Sequence, residues 1–336
     1  MSGLRLVEAV VPIAALEGLV DEIAANGVID VWSYEAGDGR GLLRILIESE
    51  GTEGLTDQLA ERFSREEGYR LMLLPVEATY PRVEKKESAE EEKRAEEEKV
   101  WTRKGPLRIS REELHQDLSV STRISAVYLT TVGLSTLVAA VGLMSSSVAV
   151  VIGAMVIAPL LGPNVALSLA ATLGDLDLAW DALKANLAGI SVALVLSVVV
   201  GVLLPVDPTV PEIAGRTDVD LGDMVLALAA GAAGTLAFTQ GLSAAVIGVM
   251  VAVALLPPLV AAGLLLGAGE IALAYGAFLL VAVNVTCVNL AGVVTFLMQK
   301  VQPRTWWETE RATKAAKVAV ASWIGMLLLL VLLIWL

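Results

Sequence analysis

Two interrupted stretches lie inside otherwise apolar sequence, Ala158-Pro159-Leu160-Leu161-Gly162-Pro163-Asn164 and Leu255-Leu256-Pro257-Pro258, and only a few amides accompany them. Proline in a helix removes a backbone donor and clashes with the preceding turn, so each stretch is expected to break its helix. A break frees N–H and C=O groups that hydrocarbon cannot solvate, so it survives where protein or a wet cavity covers it. Half-helix ends facing such a cavity can hold an ion or a small anion. The candidate solute- or ion-binding residues are therefore Pro159, Gly162, Pro163, Asn164, Asn186, Gln240, Pro257, Pro258, Asn284 and Asn289. The competing structural explanations are proline kinks for packing and asparagine bridges between helices.

Other chemistry is scarce. The chain has one histidine, His115, and one cysteine, Cys287, and lacks H-E-x-x-H or a Walker lysine. No enzyme activity, catalytic residue, metal or cofactor is expected. His115 reads as a surface residue. A lone cysteine excludes an intrachain disulfide framework. The net charge of −13 argues against nucleic acid as a partner.

The elements that must position these residues are membrane helices. Hydrophobic residues make up 56% of the 336, and charges are sparse between Ile124 and Met298. A span needs about 20 apolar residues. Seven hydrophobic segments meet that measure approximately: Ile124–Leu143, Ser146–Leu173, Leu183–Leu204, Met224–Thr239, Ser243–Leu266, Ile271–Met298 and Ala316–Leu336. Lys300, Arg304, Arg311, Lys314 and Lys317 place the loop before the last segment, and the N-terminal domain with it, on the cytoplasmic side of a cell (inner) membrane. The acidic loop Pro205–Asp223 then lies outside.

The membrane sequence repeats itself. Ala149–Trp180 and Ala244–Tyr275 match at 15 of 32 positions with a constant offset of 95, Pro163 falling on Pro258 and Gly174 on Gly269. Asn186-Leu187-Ala188-Gly189 recurs as Asn289-Leu290-Ala291-Gly292 after a further shift of eight. These matches indicate duplicated three-segment units, about 124–204 and 222–298. If each broken segment spans, the copies are inverted, as in many secondary transporters. If each folds back as a re-entrant hairpin, they are parallel. Gly142, Gly153, Gly189, Gly231 and Gly234 suit close helix packing.

Residues 1–80 read as β-α-β-β-α-β, a small ferredoxin-like α+β domain with a glycine-rich hairpin turn at Gly37-Asp38-Gly39. Residues 81–123 form a charged linker and a helix opened by the Ser110/Glu113 capping box. Leu107, Ile109, Leu114 and Leu118 are expected to lay that helix on the bilayer, with Arg103, Lys104, Arg108 and Arg111 near headgroups. The basic loop and a final Leu-rich helix occupy 299–336. A homo-oligomer is expected from that extra helix, the linker and the sheet edges of the small domain.

The blocks Leu4–Pro12, Gly153–Pro163 and Ala227–Phe238 (LRLVEAVVP, GAMVIAPLLGP and ALAAGAAGTLAF) resemble the prokaryotic integral membrane proteins of domain-of-unknown-function family 389. The resemblance covers the N-terminal domain and the membrane domain to about Met298. It implies a fold and a location but no substrate. Two functions fit the sequence: a transporter or channel for a small solute or ion, and a membrane-anchored ligand sensor signalling through its N-terminal domain.

Overall fold

A computed structural model describes residues 4–25, 27–80, 109–241, 255–303 and 306–335. The acidic–basic run 84–99, Arg103, Lys104, Leu107, Arg108 and the first half of the second broken segment lie outside these residues. The chain divides into two compact units, Met1–Glu113 and Leu114–Leu336.

The first unit runs β1 (Leu4–Pro12), α1 (Leu16–Ala25), β2 (Asp30–Gly37), β3 (Arg40–Glu48), α2 (Ser49–Phe63), β4 (Arg70–Val76). All strand pairs are antiparallel, in the order β2-β3-β1-β4. Alternate residues Val7, Ala9 and Val11 of β1 and Leu43, Ile45 and Ile47 of β3 point to one face. Leu16, Leu19 and Ile23 of α1 and Leu55, Leu59 and Phe63 of α2 cover them. Asp38 and Gly39 both have positive φ, 52° and 71°, as a two-residue hairpin turn between right-twisted strands requires. This glycine cluster is thus a turn. Arg111 is buried and meets Glu112, Asp57 and Glu53. Burial works against its charge, but these carboxylates outweigh it and hold its pKa above the ordinary value.

The unit boundary falls inside α3 (Arg111–Ser121). Leu114 and Leu118 of this helix are fully buried, so its apolar side is spent on protein and not on lipid, against the expectation of an interfacial helix. The second unit continues with α4 (Ala126–Met144), α5 (Val148–Ile157), α6 (Leu161–Leu173), α7 (Leu176–Leu203), the short α8 (Pro211–Ala214), α9 (Leu221–Thr239), α10 (Leu256–Gly267), α11 (Ile271–Met298) and α12 (Trp306–Trp335). Among the described residues, five helices are long and apolar enough to cross a membrane: α4, α7, α9, α11 and the 312–334 stretch of α12. The α5–α6 pair, bent by 52°, makes a sixth candidate, and α10 is a shorter apolar helix. Several apolar helices of this length make a multi-pass membrane protein.

Three pairs of helices in this unit start 95 residues apart. α4 and α9 have 19 residues each and start at 126 and 221; α7 and α11 have 28 each and start at 176 and 271. α6 and α10 start at 161 and 256. Local punctuation explains the match. N-cap residues Ser125 and Asp220 each accept from the backbone N–H three residues on, and Gly174 and Gly269 both take positive φ, 71° and 87°. One tertiary contact recurs with its partners exchanged. A Cβ on Gly292 would lie 2.6 Å from Ser168 Oγ, and one on Gly263 would lie 1.8 Å from Ser197 Oγ. Gly153, in contrast, has no described residue within 4 Å of where its Cβ would stand.

Candidate functional site

The first break is built by its prolines. Ala158 is extended (φ −68°, ψ 120°), as the residue before Pro159 must be, and this ends α5. Pro163 is the third residue of α6, where an N–H would have no intrahelical partner. Asn164 follows and ties three helices together. Its Nδ2 donates to Leu160 O (2.9 Å) and to Asn186 Oδ1 of α7 (2.9 Å), while its Oδ1 accepts from Asn289 Nδ2 of α11 (3.0 Å). Asn289 Nδ2 also donates to Val285 O, and its Oδ1 receives Ser168 Oγ at 3.2 Å. Asn164, Asn186 and Asn289 are all buried. Both amide hydrogens and the carbonyl oxygen of Asn164 and of Asn289 are engaged, so these two residues form a satisfied knot and not an open ligand cradle.

The two Asn-Leu-Ala-Gly tetrapeptides both grip α6, but they are not equivalent positions. α7 and α11 align without any shift, so Asn186 corresponds to Val281 and Asn289 to Leu194. What they share is a neighbour, Asn164 near the start of α6.

At the second break Pro257 and Pro258 are buried in the first turn of α10. They remove two donors from a helix end that was expected to offer donors to an anion. The two post-break helices are not each other's packing partners; α6 packs on α7 and α11, and α10 on α7, α11 and α4. Pro163 and Pro258 thus stand on helices that share the neighbours α7 and α11.

Pro258 and Asn284 instead meet in a pocket of about 170 Å³ with Arg216, Asp223, Leu226 and Leu280. Asn284 sits midway along the 28-residue α11, whereas Arg216 and Asp223 belong to the 204–220 connection and the first turn of α9. The pocket thus leads from that connection to the level of the break. Arg216 donates to Glu212 O. Burial lowers its pKa, with Glu212 and Asp223 opposing that shift. Asp223 completes a capping box with Asp220.

Gly162 lies against Ser121, Pro159 is half-buried in the first break, and Gln240 is the exposed C-cap of α9, apart from both polar centres. Sequence reasoning passed over Arg216 and Asp223. The available signal was that Arg216 is the one base among five acids in 205–223. His115 Nε2 lies 2.9 Å from Asp175 Oδ2, and Asp175 in turn caps α7 by accepting from Leu178 N.

Residues 155–290, which hold both breaks and the pocket, match the model of the family described as Domain of unknown function (DUF389). A protein of Methanocaldococcus jannaschii named Uncharacterized protein MJ0678 is 34% identical over 333 residues, with 98% of each chain covered. The chain belongs to the DUF389 family. No solved structure is significantly similar to this DUF389 protein.

Proposed function

We propose that this DUF389 protein is a transporter or channel that passes a small solute or ion through a cell membrane. The observation that carries the reading is the pocket that connects the 204–220 loop with Pro258 of the second break and with mid-helix Asn284. A polar access route ending at a broken helix is what a midplane binding site needs.

We read the 95-residue offset as a duplication with the two copies inverted. A 52° bend keeps α6 running on in the direction of α5, whereas a hairpin would turn it back. Ser146, before α5, donates to Glu212, after α7, and His115, before α4, bonds Asp175, after α6. Both contacts are natural if the broken pair crosses once, giving three crossings per copy. They conflict with a re-entrant hairpin, which would put Ser146 and Glu212 on opposite faces. The exchanged Ser–Gly contacts fit a pseudo-two-fold axis. Basic residues at 300–317 then assign the 299–305 face, and the N-terminal domain, to the cytoplasm. We also read the small domain as ferredoxin-like from its strand order. We propose a homo-oligomer with the bilayer and a neighbouring copy covering α12, whose Val318, Leu328 and Leu332 are exposed.

Proteoliposomes test the reading by shrink–swell light scattering with glycine, urea and sodium chloride as probes. Re-swelling with at least one probe should outpace that of empty liposomes, and Asn284→Leu should slow it. Equal rates for wild type, Asn284→Leu and empty liposomes would exclude this reading. A sensing role is the second reading, favoured by the exposed Trp32, Tyr34, Met72 and Leu74 on the small domain. It predicts that Trp32→Ala leaves solute flux intact while abolishing ligand binding by the full chain.

A further inference from the structure

The open pocket has a counterpart in the first copy, and it is filled. Subtracting the 95-residue offset converts Arg216, Asp223, Pro258, Leu280 and Asn284 into Ser121, Tyr128, Pro163, Ala185 and Gly189. Tyr128 bridges two of them, Ala185 and Gly189. Tyr128 is buried, and its hydroxyl donates to Ala185 O at 2.9 Å. A Cβ on Gly189 would lie 2.5 Å from that hydroxyl and 2.8 Å from Leu160 Cδ2, so glycine makes the room in which the phenol sits. Ser121 closes over Gly162.

Local structure explains why one position plugs and the other does not. Tyr128 and Asp223 occupy the same place, three residues after N-caps Ser125 and Asp220. Asp223 turns back to its own cap, accepting from Asp220 N at 3.0 Å, which leaves the volume beside α11 open. Tyr128 has no such capping role, and its ring enters the matching volume beside α7. Asn284 replaces Gly189 on the facing helix.

From this we infer that Tyr128 is the gate on the 299–305 face, occupying the inner counterpart of the outer pocket, and that moving it out opens the pathway to that face. The inference rests on the transport reading above for its purpose. Its geometry is tested without any solute. Inverted copies exchange their conformations when access alternates, so the state with Tyr128 displaced is the one that presents Ala185 as Leu280 is presented here.

The experiment is thiol accessibility in membrane vesicles of either orientation, with a membrane-impermeant maleimide and the C287S background. The L280C thiol should label from the 204–220 face. The A185C thiol should be shielded from the 299–305 face while Tyr128 is present and become reactive there in Tyr128→Ala. Tyr128→Phe, which removes only the bond to Ala185, should raise A185C labelling about fivefold, the population change expected for one neutral hydrogen bond. Gly189→Ala should open the same site by displacing the ring with no truncation of it. If A185C stays shielded in all three backgrounds, in protein that still elutes as a folded species, Tyr128 is a packing residue and the inference is overturned. Labelling that follows Tyr128 in protein without solute flux would support the gate and count against transport alone.

Discussion

The two halves of the membrane unit share helix boundaries and differ in what fills them. In the first, Asn164 is bonded to Asn186 and Asn289, and Tyr128 occupies the space beside α7. In the second, Leu259 stands where Asn164 does, Asp223 where Tyr128 does, and a pocket remains. Caps, prolines and left-handed glycines fix where helices begin and end, and the pairs Ser125/Asp220, Pro163/Pro258 and Gly174/Gly269 recur at the 95-residue offset. Three or four side chains then decide whether the enclosed volume is knotted, plugged or open. Two stretches with matching helix starts can therefore enclose different volumes.

The largest effects should come where the two halves solve packing oppositely. Gly201 and Phe296 are equivalent by the 95-residue offset. A Cβ on Gly201 would lie 2.3 Å from Leu264 O, a backbone atom unable to yield, whereas Phe296 is fully buried. Gly201→Val should abolish the detergent-stable folded protein in size-exclusion profiles. Phe296→Ala should leave folded protein that is less stable by about 3 kcal/mol, the low end for a buried phenylalanine. Similar losses from both would mean that α7 and α11 are packed more alike than their side chains imply.

The asparagine knot comes next. Asn164→Leu removes three hydrogen bonds, and membrane-buried side-chain bonds average near 0.6 kcal/mol each, so a loss of about 2 kcal/mol is expected in reversible unfolding. The reciprocal Leu259→Asn should not reproduce the knot, because Val281 and Leu194 stand where Asn186 and Asn289 would be needed. It buries an amide without those partners and should also destabilise, by about 1–3 kcal/mol. A stabilising Leu259→Asn would break the contrast between the halves.

Much of this frame was legible in the sequence because it depends on local chemistry. Pro159, the Pro257-Pro258 pair, Gly174 and Gly269 announce their breaks and ends wherever they occur. The strand alternation around Asp38-Gly39 announces a hairpin in the same way. The site was legible only in pieces. Asn164, Asn186 and Asn289 stood out as amides in apolar sequence, but that they meet around α6 depends on how α7 and α11 pack. The eight-residue shift between their tetrapeptides does not carry over to the helices, since α7 and α11 start and end 95 residues apart. The role of Arg216 and the burial of Tyr128 depend on volume left between helices, for which linear spacing has no signal. Leu114 and Leu118 illustrate the same limit: an apolar stripe of this spacing suits lipid or protein equally, and tertiary packing decides.

The smallest expected effect concerns the caps at the start of the long helices, where the halves again part. Asp175 accepts from Leu178 N and meets His115, while its equivalent, Glu270, makes no side-chain cap. Asp175→Ala should cost about 1 kcal/mol, the usual value of an N-cap, and Glu270→Ala close to nothing. Burial alone would raise the Asp175 pKa, but the Leu178 N–H and His115 outweigh it and hold the carboxyl below the ordinary aspartate value. A carboxyl depressed in the folded state binds its proton more readily when unfolded, so its contribution is present above the ordinary value and fades as pH falls through the lower folded one. The stability gap between wild type and Asp175→Ala should therefore be constant from neutrality down to the ordinary aspartate range and shrink only below it. Tm measured against pH in detergent for wild type, Asp175→Ala and Glu270→Ala checks this. A gap that already shrinks between neutrality and the ordinary aspartate range would count against a depressed Asp175 carboxyl as its source.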